Sequence, residues 1–496
     1  MNSEPITNVS LQPNNTSPTN RRLPNLLVKK QSRIKKEIIP VNEEIRHATG
    51  DIVIHPVDGC RKLICNMTLL VNNKTKEVFV IDSGKGLEEI SPNIPVITKA
   101  VLDRATTRKP NFKILVDYYR RGYKIIGFMV THIHADHIGS FNDCKNYLEN
   151  AGIKLDFKIY GSKITHVLGS VLSKCSYYKN NFQILEDRQL KIINEHFKFY
   201  PIQVNHSAPE TMGAFFKTGD KTILYIPDCK IDFDPVIGVN EEELQNYYKK
   251  INSTTPDAVI IESTNIGQAD KPIVTEGEVA ASLKKLILYH NEQKDTIIVT
   301  TFATNAARLL SIIRAAVAAK RTVGVYGRSM CNAINAYLEV GLIPAHFKES
   351  IVLLDNFNPV NKDKKRFVVL CTGHQGEPSA ALPRMVADQL GYRWSKKDLV
   401  IFSSSQIPAV NAEISRSILM CELKQRRLEI IDKVHCSGHI TKRDAIRIVS
   451  NVSNCKKFII NHGDFDQMVH YYDILHNLDI SEDRLILGRN NWSYSV

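Results

Sequence analysis

No apolar run in this sequence approaches the roughly 20 residues that a helix needs to cross a bilayer, which excludes a helical membrane span. The opening residues are rich in Asn, Ser, Thr and Pro without a hydrophobic stretch, so no secretory signal is read there. The ten cysteines are scattered and include no C-x-x-C pair. That excludes a thiol-based zinc ribbon and fits free thiols in a reducing cytoplasm, the compartment we expect. No internal repeat is present. Acidic residues are outnumbered: 52 Asp and Glu against 65 Lys and Arg give a net charge of +13, which favours an anionic partner. Part of that excess lies in Arg21, Arg22, Lys29, Lys30, Arg33, Lys35 and Lys36, inside a low-complexity start. Residues 1–46 therefore read as a disordered basic tail able to touch phosphates, which by itself does not identify nucleic acid.

Against these absences stands one dense run. Residues 131–140 read Thr-His-Ile-His-Ala-Asp-His-Ile-Gly-Ser, directly after the apolar strand Ile125–Val130. Imidazole and carboxylate are the ligands that zinc and manganese favour. Alternation sends His132 and His134 to one side, while Asp136 and His137 follow a turn and reach a second point. One cluster can thus serve two adjacent metal ions.

Elsewhere, short apolar runs alternate with turns at Asp51–His55, Met67–Val71, Val78–Ile81, Phe157–Tyr160, Ala214–Lys217, Thr222–Ile226 and Ala258–Ile261, with a helical stretch at Phe112–Arg121. They predict two sheets covered by helices. From about residue 270 strands and helices alternate. The strands are Thr296–Thr301, Thr322–Tyr326, Phe367–Cys371 and Leu399–Phe402, and Leu309, Ile312, Ile313, Ala316 and Val317 recur at helical spacing. This predicts a parallel sheet with helices on both faces and ligand loops at the strand C-termini. The block reads as a second domain inserted in the first, because metal-type residues resume after it at His439 and His462.

His206, Asp228, His439 and His462 all stand at strand ends. Singly, each is most simply an ordinary polar residue. Two metals sharing a bridging carboxylate need about seven protein ligands, and His132, His134, Asp136, His137, His206, Asp228 and His462 supply that number.

The H-x-H-x-D-H run, preceded by Val78-Phe79-Val80-Ile81-Asp82-Ser83-Gly84, resembles the metallo-β-lactamase fold. Later stretches resemble its β-CASP nuclease branch, and specifically the ribonuclease J family. They are Glu262-Ser263-Thr264-Asn265, Thr301-Phe302-Ala303-Thr304-Asn305, Gly327-Arg328-Ser329-Met330, Thr372-Gly373-His374-Gln375-Gly376-Glu377-Pro378, Ser403 to Pro408, Val434 to His439, and Asn461-His462-Gly463-Asp464. The resemblance implies an α/β protein: a metallo-β-lactamase αββα sandwich at 47–270 and 431–496, with a β-CASP parallel α/β domain inserted at 271–430.

It also implies roles. His132, His134 and His206 would hold one metal and Asp136, His137 and His462 the other, with Asp228 bridging and Asp82 bracing the ligand loop from behind. The ions would be zinc, with manganese the alternative. Two such ions polarise a phosphodiester and activate a water. His439 would then supply the leaving oxygen with a proton, oriented by Glu262. The inserted domain would form an RNA channel, with Arg308, Arg328, Thr372, Gly373, His374, Ser437, Gly438 and Thr441 as phosphate-binding candidates. The expected activity is metal-dependent hydrolysis of RNA, endonucleolytic and also from the 5′ end, in RNA processing and decay. Self-association or a place in a ribonuclease complex stays open, because the C-terminal domain of typical bacterial members is not seen.

Departures from the family pattern bear on the 5′ end. His374 replaces the usual serine, Gln406 the usual proline, and Ile440-Thr441 stand where Ala-Ser is common. They keep alive the alternative of a catalytically weakened RNA-binding homologue. A DNA-acting β-CASP nuclease is the other alternative, against which His462 speaks. A small-molecule hydrolase fits the inserted block poorly.

Overall fold

Runs that are apolar without interruption become strands covered on both sides. Val323–Val325, Phe367–Cys371 and Leu399–Phe402 are buried throughout, as the central strands of a parallel sheet must be. The computed structural model describes residues 45–61, 64–87, 107–267, 275–407 and 410–496. The expected basic tail lies outside the described residues, apart from Ile45 and Arg46, as do Pro408 and Ala409.

Two seven-stranded sheets form the body of the chain. The first runs in the order Tyr494–Ser495, Ile52–Asp58, Met67–Asn72, Glu77–Ile81, Lys124–Met129, Lys158–Gly161, Phe182–Ile184. The second runs Lys191–Ile192, Phe197–Val204, Thr211–Thr218, Lys221–Ile226, Ala258–Glu262, Phe458–Asn461, Leu485–Leu487. Their facing sides share one core, in which Phe79 of the first sheet stacks on Phe197 of the second with ring centroids 4.7 Å apart. The outer face of the first sheet packs on helices Lys113–Arg120 and Phe141–Asn150. That of the second packs on Glu241–Asn252, Lys442–Asn451 and Phe465–Asn477. The layers are helix, sheet, sheet, helix.

The third sheet has six strands, all parallel: Ile351–Leu354, Thr322–Tyr326, Phe367–Cys371, Ile297–Thr300, Leu399–Phe402, Glu429–Ile431. Alternate residues face opposite cores. Ile297, Val299, Val323 and Leu370 point to helices Glu276–Tyr289, Ala306–Ala318 and Arg328–Val340, whereas Ile298, Val369 and Val400 face Leu419 and Leu423 of Val410–Gln425. In sequence this sheet falls between Ala258–Glu262 and Phe458–Asn461, which pair in parallel as neighbours. The fold is the α/β one expected, a metallo-β-lactamase αββα sandwich with a β-CASP parallel sheet between its two chain segments.

One long strand was not legible. Phe197–Val204 carries Lys198, Pro201 and Gln203, which break the apolar pattern. It pairs over its whole length with Thr211–Thr218 but only at Lys198 and Phe199 with its other neighbour, so Pro201 sits where no second ladder needs its missing N–H.

Candidate metal centre

The chain leaves both large sheets at one edge, and there the polar residues gather. Glu77–Ile81 runs into Asp82, Lys124–Met129 into the loop holding His132 and His134, and Val204, Ile226 and Asn461 are followed closely by His206, Asp228 and His462. The turn Ala135–Ile138 is helical and carries Asp136 and His137. Two non-glycine residues, Asp82 (φ 62°) and His462 (φ 44°), sit in the left-handed backbone region, a cost that persists only where the surroundings hold it in place.

Ring nitrogens converge at one point. His134 Nδ1 lies 3.1 Å from His132 Nε2 and 3.2 Å from His206 Nε2, and Asp228 Oδ2 is 3.8 and 4.0 Å from those same two Nε2 atoms. A second group shares the carboxylate. His137 Nε2 is 3.2 Å from Asp228 Oδ2 and 3.5 Å from Asp136 Oδ2, while His462 Nε2 is 3.1 Å from Asp228 Oδ1 and 3.7 Å from Asp136 Oδ2. Within each set the ligating atoms lie within 4.8 Å of one another.

The tautomers favour cation binding. His206 Nδ1 donates to Gly438 O at 2.7 Å and His137 Nδ1 to Asp82 Oδ2 at 2.8 Å, so both Nε2 lone pairs face the cluster. Burial pushes His132 and His206 well below the ordinary imidazole range, and His134 to about 4. Three neutral imidazoles with nitrogens this close cannot satisfy one another as donors. Their donor set suits a divalent cation. Burial works against charge at His137 too, but Asp228, Asp136 and Asp82 outweigh it, so the carboxylates around this ring favour positive charge there, a proton or a cation on Nε2. Likewise burial raises Asp228, yet His462 and His137 keep its carboxyl far below the carboxylate range. The residues fit two divalent ions.

Beside this cluster, His439 Nδ1 meets Glu262 Oε2 at 3.0 Å and lies 3.9 Å from Asp228 Oδ2. Glu262 Oε1 is fixed by the Cys229 backbone N–H at 2.7 Å. Burial works against the charge on His439, but Glu262 and Asp228 raise it to about 9, so the ring is cationic at neutral pH. Its side chain is 26% exposed, against 0% for His132, which makes it reachable by a substrate.

The other candidates divide. Arg308 corrects its expectation as a phosphate contact: it is 0% exposed, with Nε 2.8 Å from Glu276 Oε1, Nη2 3.1 Å from Glu276 Oε2 and Nη1 2.8 Å from Ser403 O. A guanidinium committed on every side holds structure, not substrate. Arg328 is exposed at the start of its helix, after Gly327 at φ 103°. His374 is 2% exposed, packs against Phe302 with centroids 4.0 Å apart, and neither ring nitrogen has a hydrogen-bond partner. Gly373 beside it is buried at φ 108°, and Thr372 is half-buried. Ser437 Oγ accepts from His439 N (3.1 Å) and Asn265 Nδ2 (3.3 Å), which shapes the loop, and Gly438 lends its carbonyl to His206. The Thr441 hydroxyl caps helix Lys442–Asn451 by accepting from Asp444 N.

Three further residues complete the site. Asn66 Nδ2 reaches His137 Nε2 (3.1 Å) and Asp136 Oδ2 (3.4 Å). Thr131 ties the ligand loop to Asp82 through both N and Oγ1, each at 2.8 Å. Gly84 is needed because a Cβ there would lie 1.6 Å from Asp136 O. Asn66 depends on long-range approach, for which the linear sequence holds no signal, whereas Thr131 and Gly84 fall inside the stretches that carry the resemblance.

Comparison with known proteins agrees with this geometry. Residues 294–420 match the model of the ribonuclease J β-CASP domain. A ribonuclease J of Pyrococcus abyssi is 27% identical over 440 residues, covering 85% of this chain and 92% of that protein. One from Sinorhizobium meliloti is 31% identical over 399 residues, covering 78% of this chain and 65% of its own length. A crystal structure of a protein of unknown function from Enterococcus faecalis shares the fold, with a TM-score of 0.58 at 15% identity over 90% of this chain and 100% of that one. Motifs, sheets and relatives agree: the chain is similar to ribonucleases J over most of its length, and residues 294–420 match that family's β-CASP domain.

Proposed function

We propose that the protein is a metal-dependent ribonuclease that hydrolyses RNA phosphodiester bonds. One observation carries the reading: two donor sets, His132/His134/His206 and Asp136/His137/His462, meet at the single carboxylate of Asp228. Such a pair of sites suits two zinc or manganese ions, which supply Lewis acidity toward a phosphodiester when bound.

The chain's own residues do the rest. Asp82 holds His137 in the tautomer that offers Nε2, and the Gly438 carbonyl does the same for His206. Glu262 occupies His439 Nδ1, which leaves Nε2 to give its proton to the departing ribose oxygen. His132, His137, His206, Asp228, Glu262 and His462 are buried, which strengthens the charge–charge contacts among them. RNA is the substrate we favour, attacked internally and from the 5′ end.

Purified protein should contain two equivalents of divalent metal and cut single-stranded RNA but not the matched DNA, with cleavage abolished by chelation. Cleavage of DNA alone would reject the reading. A metal-loaded protein inert toward RNA would leave only an RNA-binding homologue.

A further inference from the structure

A second cationic feature stands next to the strand that delivers His462. Loop 488–492 is fastened there: Gly488 N donates to Ile460 O at 2.9 Å, and Asn490 Oδ1 accepts from Cys60 N at 2.8 Å. The short strand Cys60–Arg61 pairs in parallel with Gly463–Asp464, which puts Arg61 in register with Asp464, two residues past His462. Two half-buried arginines therefore flank this strand end from different parts of the chain.

Both lie on aromatic faces. The Arg61 guanidinium is 4.9 Å from the Phe465 ring centroid and that of Arg489 is 4.1 Å from Trp492, on which Arg46 also stacks at 4.1 Å. Stacking uses the flat face of a guanidinium and leaves its N–H edge free for an anion. Yet neither Arg61 nor Arg489 has a side-chain hydrogen bond or ion pair among the described residues, and Arg61 Nε is shielded from solvent without a partner. The carboxylate in register with Arg61 is spent elsewhere, since Asp464 Oδ1 accepts from Gln467 N at 2.8 Å to cap helix Phe465–Asn477. Burial, and then the charge of Arg489, lowers the pKa of Arg61. Two cationic side chains with no ion pair to an acid among the described residues, one with an orphaned donor, form half of an ionic site.

We propose that Arg61 and Arg489 form a clamp for backbone phosphates of single-stranded RNA passing the His462 side of the metal centre. The proposal rests on the ribonuclease reading and adds to it the direction in which the strand leaves the site. A phosphodiester chain suits the pair because it offers anions in series to two stacked, pre-oriented guanidiniums.

The test is the salt dependence of binding to a short single-stranded RNA, measured without added divalent cation for the wild type, R61Q, R489Q and the double variant. Each lost phosphate contact should flatten the slope of log K against log salt by about 0.7, and the double variant by about twice that. R489K retains the charge and should keep the wild-type slope. Unchanged slopes in R61Q and R489Q overturn the clamp while leaving RNA cleavage by the wild type intact. An R489K slope as flat as that of R489Q overturns it as well, because the loss is then structural. Failure of the wild type to bind or cut RNA removes the clamp and the ribonuclease reading together.

Discussion

At the scale of single residues, the proposed mechanism separates groups that would hold a cation from one that would move a proton. The His439 ring is hydrogen-bonded to Glu262 at 3.0 Å, with Asp228 3.9 Å away. His439→Ala should therefore retain its metal by elemental analysis while kcat falls by about 100- to 10,000-fold, the range of a lost general acid. Normal turnover would remove His439 from the mechanism. Asp82 acts through His137 instead, so Asp82→Asn should weaken metal affinity by about 10- to 100-fold in a chelator competition, with the secondary structure unchanged by circular dichroism. The local ligands were legible because His132 to His137 lie within one turn of chain. Asn66 was not, because its approach to Asp136 and His137 is made by folding alone. Arg308 misled for a related reason. Its charge is visible in the sequence, but its buried partner Glu276 is not.

At the scale of elements, buried parallel strands declare themselves and half-buried edges do not. Thr322–Tyr326, Phe367–Cys371 and Leu399–Phe402 have the bounds that their apolar runs predict, whereas Ile351–Leu354 and Glu429–Ile431, at the two edges of the same sheet, are short and partly exposed. The turn Ala135–Ile138 depends on close backbone approach. Gly84→Ala would push a methyl into Asp136 O, and the expected cost is about 1–3 kcal/mol in chemical denaturation, with loss of metal from the Asp136 side. A variant as stable as the wild type would show that the turn can shift without harm. Thr441→Ala removes one arm of a capping box, the hydroxyl that accepts from Asp444 N, and should cost about 1 kcal/mol in chemical denaturation.

At the scale of the whole molecule, one buried ionic knot joins the parallel sheet to the sandwich. Glu276 and Arg308 come from helices of the former. Lys230 and Asp232 follow the strand Lys221–Ile226 of the latter, with Lys230 Nζ 2.7 Å from Asp232 Oδ2 and 3.7 Å from Glu276 Oε2. Cys436, three residues before His439, donates to Glu276 Oε2 at 2.9 Å. Burial pushes the Glu276 carboxyl up, but Arg308 and Lys230 together hold it at about 2, below its ordinary 4.5. A depressed folded-state value stabilises the protein fully above the ordinary one and is lost as pH falls through the folded one. The melting temperature should thus drop steeply between about pH 4.5 and pH 2, and Glu276→Gln should flatten that part of the curve. Arg308→Ala leaves buried Glu276 with only Lys230, 3.7 Å away, as its counter-charge, and the expected loss is about 3–5 kcal/mol in chemical denaturation. A neutral result would mean that water reaches the knot.

The pairing of Phe458–Asn461 with Ala258–Glu262 also has a consequence in time. During translation Asp228 emerges from the ribosome long before His462, and the sheet has no place for the later strand until nearly the whole polypeptide has been made. A growing chain therefore cannot close the cluster around Asp228 until its last segment is free to fold.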